Sequence, residues 1–393
     1  MSDSRAILVL SLGLIASACA ATARAQERSP APSDPHATAR TRALFVNLRE
    51  VARDHVLFGH QDDLAYGVSW WDEAGRSDVR ETAGSYPAVI GSELGWLEQG
   101  GPVSLDKVRF DRIRHWMVEA YGMGGVNTAS WHLNNPVSGG SAWDTTAAVA
   151  AILPGGAQHD KYVAWLDRLA DFLGSVRTAD GEPVPIIFRP FHEMGGGWFW
   201  WGRGHATPED YRALWRFTVE YVRDHKGVHN LLWAYSPNAL RDVGQDGYWT
   251  WYPGDAYVDV LGFDDYSTLE PGSRGNDVAG LAADLAWLVR QAGERDKIAA
   301  LTEAGVEGIP DPNWWTGRLL AAITARPGAA GIAWVLVWRN ANAKLDRAGH
   351  FFAPYAGHPS APDFVRFRSD SLILFADELP DLYRMPRDTT GHQ

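Results

Sequence analysis

The chain has 393 residues, 46 % of them hydrophobic and 21 % charged, and a formal net charge of −12. This balance is typical of a globular protein, and it argues against a nucleic-acid partner, because binding phosphates needs a basic surface that the sequence does not offer. Nineteen tryptophans are the unusual feature. We expect about half of them in the core and the others on an exposed apolar surface, since the indole ring is at home in both places.

The N-terminus has the pattern of an export signal. An apolar run over residues 6–20 is followed by Ala23 and Ala25, which occupy the small positions of a cleavage site. The run is too short to span a membrane. We therefore predict a secreted or periplasmic protein with a signal peptide over residues 1–25, cut before Gln26. The alternative is a lipid anchor on Cys19, the one cysteine of the chain, but the Ala-Arg-Ala site favours cleavage.

Residues 26–40 are rich in proline and serine and predict a flexible tether. One folded domain is expected over residues 41–390. Eight short apolar runs recur there, at 56–61, 88–94, 124–132, 183–193, 230–238, 258–266, 297–305 and 331–340. Amphipathic stretches predict helices between them, for example over 104–121 and from Thr207, an N-cap followed by proline.

This alternation predicts a (β/α)₈ TIM barrel with enlarged βα loops. An open doubly wound sheet is the alternative, but no Gly-x-Gly-x-x-Gly follows an early strand. In a barrel the active site lies at the C-terminal ends of the strands. The eight runs end in His60, Glu93, His132, Glu193, Asn238, Tyr266, Glu303 and Trp338. We expect these side chains to meet at the mouth of the barrel.

Strand alternation places Arg189, Phe191 and Glu193 on one face of the fourth strand. Glu193 and Glu303, at the ends of strands four and seven, would then face each other across the mouth. Two carboxyl groups about 5–5.5 Å apart suit a retaining glycosidase, in which one protonates the leaving oxygen while the other attacks the sugar. Glu193 needs a raised pKa for this, whereas Glu303 must stay ionised beside Arg189. The tryptophans of 198–201 offer flat surfaces for sugar rings.

The stretch RPFHEMGGGWFWWG (189–202) resembles glycoside hydrolase family 26, the β-mannanases, as do SWHLNNP (130–136), LTEAG (301–305) and LFGHQDDLAYG (57–67). The resemblance extends over the whole predicted domain. It implies retaining hydrolysis of β-1,4-mannosidic linkages in mannan, glucomannan or galactomannan, by a monomer that needs no cofactor.

The resemblance also implies roles for individual residues. Glu193 is similar to the family's proton donor and Glu303 to its nucleophile. Substrate binding is implied for Trp131, His132, Arg189, His192, Trp198, Asp264, Tyr266, Trp338 and Arg339. Tyr266 resembles a tyrosine that bonds the nucleophile. Many relatives carry an asparagine where this chain has Gly195, so the loop after the proton donor departs from the family pattern.

Other interpretations stay open at this point. His60, Asp62, His132, His192 and Glu193 are ligand types for a metal, but metal-dependent barrels usually carry His-x-His on strand one and an aspartate on strand eight. We therefore predict no metal. A non-catalytic sugar-binding protein is a second alternative, against which the presence of both glutamates argues.

The sequence also leaves the mode of action and the exact substrate open. A loop over residues 62–76 could block one end of the cleft and produce an exo-acting mannobiohydrolase. Other members of the family act on β-1,3-xylan or mixed-linkage glucan. Glu93 is either a further sugar-binding residue or the partner of a salt bridge.

Overall fold

The computed structural model describes residues 30–270, 277–342, 346 and 349–386. The predicted signal peptide, its cleavage site and Cys19 lie outside the described residues, so export stays a prediction. No helix in those ranges combines the length and the apolar character that a membrane span requires.

Eight parallel strands in the described part of the chain close into a barrel, which confirms the predicted (β/α)₈ fold. They are β1 (Val56–Gln61), β2 (Val89–Glu93), β3 (Val126–Trp131), β4 (Ile186–Pro190), β5 (Leu231–Tyr235), β6 (Val260–Asp265), β7 (Ile298–Ala304) and β8 (Trp334–Val337). The pairing of β1 with β8 closes the barrel, with Phe58 opposite Val335. A hairpin of Tyr66–Gly67 and Trp70–Trp71 follows β1. The short strand Ile373–Leu374 pairs with the start of β1, at Val56 and Leu57.

Helices follow the strands on the outside of the barrel, and α1 precedes them. They are α1 (Ala39–Val51), α2 (Asp78–Ala83), α3 (Phe110–Gly122), α4 (Val149–Ile152), α5 (His159–Ser175), α6 (Pro208–Val219), α7 (Leu240–Thr250), α8 (Val278–Glu294), α9 (Ala321–Thr324) and α10 (Ala361–Arg368). Wider π-helical turns, Glu220–His225 and Trp315–Leu320, adjoin α6 and α9. As predicted, Thr207 caps α6, and its hydroxyl accepts the Asp210 N–H at 3.1 Å.

The helix predicted over 104–121 begins six residues late, at Phe110. Lys107 has a φ of 62°, which no right-handed helix allows, and the Ser104 N–H donates to the Val108 carbonyl at 2.7 Å. Residues 104–108 therefore form a tight turn. This turn brings Asp106 and Lys107 to the barrel mouth.

The N-terminal boundary of the folded domain also differs from the prediction. Residues from Ala31 onward belong to the folded unit, rather than from residue 41. The Ser33 N–H donates to the Asp259 carboxylate at 2.5 Å, and the His229 ring bonds Asp34 at 2.9 Å. Proline and serine suggested a tether, but an extended segment is ordered when its backbone donors find buried acceptors.

The core has an inner and an outer layer. Leu57, Ile187, Val260 and Trp334 fill the barrel interior, and apolar residues of α1 join the same cluster and cover the barrel bottom. Most aromatic residues pack between strands and helices. Thirteen tryptophans are buried, more than the half that we expected; they are Trp70, Trp116, Trp131, Trp165, Trp200, Trp201, Trp215, Trp233, Trp251, Trp287, Trp314, Trp315 and Trp334.

Candidate active site

Glu193 lies in a tight turn after β4, with the strand ending at Pro190. Phe191 and Glu193 adopt left-handed conformations, with φ of 48° and 54°. Each such conformation costs a non-glycine residue roughly 1–3 kcal/mol, so surrounding contacts must hold it. The Glu193 N–H donates to the Ser236 carbonyl at 2.8 Å, and the Trp201 indole donates to the His192 carbonyl at 2.8 Å. The turn is therefore fixed from both sides.

The predicted strand alternation does not hold beyond Pro190. Phe191 is fully buried in the outer layer, where its ring contacts Trp201, Tyr211 and Trp215. It does not share the face of Arg189, and that part of the prediction is wrong. Glu193 reaches the mouth because the left-handed turn redirects the chain.

Arg189 connects acidic residues of two other strands. One of its nitrogens donates to Asp264 Oδ2 at 2.5 Å and to Ser236 Oγ at 3.1 Å, and the other donates to Glu303 Oε2. The Tyr266 hydroxyl donates to the second oxygen of Glu303 at 2.5 Å. Both oxygens of Glu303 are thus held in place, and the arginine compensates its charge.

Three carboxyl groups converge at this point. One oxygen each of Glu193, Asp264 and Glu303 lies within 4.8 Å of the others. Such a group could bind a cation, but the Arg189 guanidinium already bonds two of its three members. The separation of Glu193 and Glu303 falls in the short range typical of retaining glycosidases, which leaves no room for a water between the second carboxylate, Glu303, and the sugar.

Glu193 is the partly exposed member of this group that can hold a proton near neutral pH. Burial also raises the pKa of Asp264, against the effect of Arg189, but Asp264 lies beneath that arginine. Burial and the neighbouring Glu303 raise the pKa of Glu193 to about 7, while the hydrogen bond from Trp198 acts in the opposite direction. The residue remains partly exposed at the mouth. A reachable carboxyl group with such a pKa is suited to donate a proton and then to accept one.

Trp198 orients this carboxyl group. Its indole N–H donates to Glu193 Oε2 at 2.7 Å, and 41 % of the residue is exposed. A Cβ at Gly196 would lie 2.3 Å from the Trp198 ring, so only glycine fits beneath it.

The missing asparagine at Gly195 has a structural counterpart. A Cβ at Gly195 would lie 2.0 Å from Val243 Cγ1 and 2.4 Å from Asn238 Oδ1. Residues after β5 therefore occupy the space that the side chain would need. The loop is packed by its neighbours and does not depend on a bond from residue 195.

Two histidines form a buried chain with Glu93. His132 Nδ1 lies 2.7 Å from Glu93 Oε2, and His132 Nε2 lies 3.0 Å from His192 Nε2. Burial raises the pKa of Glu93, but the bonds from His132 and Ser130 outweigh it and lower the value to about 2. The structure shows the contact with His132, which is one of the two roles left open for Glu93, and sugar binding by Glu93 stays a prediction.

A cavity of about 420 Å³ adjoins the histidines. It is lined by Glu93, Trp96, Leu105, Asp106, Lys107, His132, Trp143, Trp338 and Arg339. The Trp143 ring stacks on His132 at 5.2 Å and is 49 % exposed. Sequence reasoning missed Trp96, Asp106, Lys107 and Trp143. An exposed tryptophan in the glycine- and serine-rich loop after β3 was a usable signal for Trp143 alone.

A second cavity of about 440 Å³ lies near the other end of the barrel, beside Arg49 and Lys297. No carboxylate lines that cavity, so the paired acids and aromatic rings place the candidate site at the mouth.

The remaining predicted residues divide into three groups. Trp338 and Arg339 line the cavity, and Arg339 bonds Asp346 at 2.6 Å. Asp264 is buried beneath Arg189, and Thr302 Oγ1 donates to it at 2.7 Å, so its contact with sugar stays a prediction. Trp131 is fully buried, and its indole bonds Glu98 at 3.0 Å. The prediction that Trp131 binds substrate is wrong, because alternation at the end of β3 turns it into the core.

His60 and Asp62 do not join the carboxylate group. The His60 ring bonds Asp63 at 2.7 Å in the core below the hairpin, and Asp62 accepts the Tyr66 hydroxyl at 2.7 Å. Their buried polar groups serve the packing of the hairpin.

Comparisons with known proteins agree with this geometry. The model of glycosyl hydrolase family 26 matches residues 33–328. The chain is 38 % identical over 281 residues to a mannan endo-1,4-β-mannosidase of Bifidobacterium adolescentis, which is 70 % of this chain and 28 % of that protein. It thus spans just over a quarter of that relative's length.

Solved structures are similar over nearly the whole chain. A family 26 β-mannanase of Bacteroides ovatus has a TM-score of 0.83 and 43 % identity, covering 91 % of this chain and 100 % of the other. A modular endo-β-1,4-mannanase of Cellulomonas fimi has a TM-score of 0.81 and 39 % identity, covering 90 % of this chain and 79 % of the other.

Proposed function

Because the chain belongs to glycosyl hydrolase family 26, we propose that it hydrolyses β-1,4-mannosidic linkages within mannan, glucomannan or galactomannan, with retention of configuration. One observation carries the proposal. Glu193, with a pKa of about 7, has a carboxylate oxygen within 4.8 Å of one from Glu303, which Arg189 and Tyr266 hold in place.

In the proposed reaction Glu303 attacks the anomeric carbon as the glycosidic bond breaks. Glu193 gives its proton to the departing oxygen, and a glycosyl ester forms on Glu303. Loss of this proton leaves Glu193 a carboxylate, which then takes a proton from the incoming water. Water attacks the same carbon from the side opposite the ester, the bond to Glu303 breaks and frees its carboxylate, and the two inversions give net retention. Glu193 loses a proton in the first half-reaction and regains one from water in the second, so the enzyme returns to its starting state.

Aromatic rings near the carboxyl pair support a polysaccharide substrate. Trp338 and Trp143 line the cavity beside the histidines, and Trp198 lies beside the proton donor with much of its ring exposed. Flat rings bind the apolar faces of successive sugars. These rings thus offer surfaces for more than one sugar unit.

Product analysis on mannohexaose tests this proposal. We expect products of several lengths, since an endo-acting enzyme binds the chain in several registers. Mannobiose as the sole product would instead identify a mannobiohydrolase. The hairpin of Tyr66–Gly67 and Trp70–Trp71 would then be the candidate for the segment that blocks one end of the cleft, and a variant with a shortened hairpin would test it. Faster cleavage of β-1,3-xylan or mixed-linkage glucan than of mannan would overturn the substrate assignment. The Glu193→Gln variant, purified in the same way, is the control for activity from contaminating enzymes.

The pH profile tests the assignment of Glu193. We expect kcat/KM to fall on the alkaline side with an apparent pKa of about 7, because the donor must be protonated in the free enzyme. Trp198→Phe removes the indole bond that lowers the pKa of Glu193, so the alkaline limb should move to higher pH. Trp249→Phe, a half-buried site on α7, is the matched control. An unchanged limb in Trp198→Phe would contradict the assigned role of this hydrogen bond.

A further inference from the structure

The two histidines at the mouth, His132 and His192, face each other through their Nε2 atoms. His132 Nε2 and His192 Nε2 are 3.0 Å apart, so a hydrogen bond between them requires a single proton on one of the two nitrogens. On its other side the His132 ring meets the Glu93 carboxylate at 2.7 Å, which fixes a hydrogen on Nδ1. Two arrangements remain. Either a doubly protonated His132 donates to His192, or a neutral His132 accepts from it.

The neighbouring charges decide between these arrangements. The charged and titratable groups around His132 include Glu93, Asp106, Arg189, His192, Glu193 and Glu303, and Lys107 and Arg339 line the same cavity. Burial alone disfavours the cation, but the contact with Glu93 outweighs it and raises the pKa of His132. Within the part of the chain that the structure describes, no carboxylate bonds the His192 ring. Burial, Arg189 and His132 together lower its pKa well below the ordinary value. The proton between the rings therefore belongs to His132.

The environment of Glu93 is built to keep it ionised. Its carboxylate accepts the Ser130 hydroxyl at 2.6 Å and the backbone N–H groups of Gly95 and His132 at 2.5 and 2.9 Å. With the His132 ring, four donors surround a side chain that is buried. A neutral carboxylic acid would leave donors facing donors here, so the ion pair is the consistent state.

We propose that Glu93 is a positioning residue that keeps both ring nitrogens of His132 protonated, and thereby places a fixed positive charge beside Glu193 and Glu303. This inference rests on the proposed function, in which those glutamates react. The charge opposes the effect of Glu303 on the proton donor. It lowers the pKa of Glu193, so that Glu193 gives up its proton more readily than it would beside a neutral ring.

Glu93→Gln removes the negative charge of residue 93 and leaves a side chain of the same shape that can still form hydrogen bonds to its neighbours. The amide oxygen can accept the two backbone N–H groups, and the amide NH₂ can donate one hydrogen to His132 Nδ1 and the other to the Ser130 oxygen, whose hydroxyl then no longer donates to residue 93. The ring is then neutral with its hydrogen on Nε2, and it still donates to His192. The substitution removes the negative charge of Glu93 together with the positive charge of His132, but His132 is the member of the pair that acts on Glu193, so the pKa of Glu193 should rise. We expect the alkaline limb of kcat/KM to move up by about 0.5–1 pH unit.

Glu98→Gln is the matched control. Glu98 is a buried acid five residues after Glu93, and it accepts the Trp131 indole at 3.0 Å and the Asn134 N–H at 2.8 Å, without contacting His132. We expect both variants to lose some thermal stability, but only Glu93→Gln to shift the alkaline limb of the pH profile of kcat/KM. Equal profiles for the two variants would overturn the proposal.

Nitrogen NMR of the full-length protein without substrate gives a reading that is independent of activity. At pH 7 the wild-type His132 ring should show two protonated nitrogens, and the Glu93→Gln ring one. A neutral His132 in the wild type would overturn the inference even if the enzyme cleaves mannan as proposed. Conversely, a charged His132 in a protein that cleaves no mannan would contradict the proposed function and leave the ion pair standing.

Discussion

Replacement of Glu303 by alanine is expected to lower kcat on mannan by at least about 10⁴-fold, because no other group can form the glycosyl ester. Glu303 receives bonds from Arg189 and Tyr266, and the described contacts give no second carboxylate with the same approach. The rate of reducing-sugar release from mannan measures the effect. Melting temperature, followed by circular dichroism, shows whether the variant is folded.

Glu307→Ala is the matched control for this experiment. Glu307 lies four positions further along the chain, and its carboxylate bonds the His350 ring at 2.9 Å. It is the next acidic residue after Glu303 in the sequence. Normal turnover in Glu303→Ala, or a comparable loss in Glu307→Ala, would contradict the assignment.

Replacement of Glu193 by alanine should have an effect that depends on the leaving group. On mannan we expect a loss of roughly 10²–10⁴-fold, the usual worth of general acid–base catalysis. An aryl mannobioside with an acidic phenol needs no proton to leave, so its first step should be nearly unaffected. The glycosyl-enzyme should then accumulate, visible as a burst of phenol, because water lacks its base.

Azide provides the discriminating test for Glu193. As an anion that needs no general base, it should restore turnover of the aryl substrate by Glu193→Ala and yield a β-mannosyl azide. The Glu303→Ala variant on the same substrate serves as the comparison and should give no β-azide. Equal losses on mannan and the aryl substrate, without a burst, would contradict the role of Glu193 as acid and base.

The barrel was predictable from the sequence because each strand is buried on both faces. Runs such as 56–61 and 297–305 are nearly continuous in apolar residues, and polar side chains follow where they reach the mouth. The start of α6 was equally clear, since Thr207 and Pro208 give a local signal that needs no tertiary contact. Strands and helix starts that depend on neighbouring residues in the sequence could thus be predicted from the sequence alone.

Other parts of the site depend on contacts between distant segments. The left-handed turn at Phe191 and Glu193 is held by the Ser236 carbonyl, more than forty residues away, so alternation failed there. Asp106 and Lys107 looked helical by periodicity, but a turn places them at the cavity. Tertiary contacts override local pattern in both cases.

Trapping the covalent intermediate tests the central claim most directly. A 2-deoxy-2-fluoro mannobiosyl fluoride slows both steps, but its good leaving group lets the ester form faster than it is hydrolysed. Mass spectrometry of the protease-digested protein should then find one added sugar label, on the peptide that contains Glu303. A label on another carboxylate, or an unlabelled protein that releases product of inverted configuration, would contradict the account.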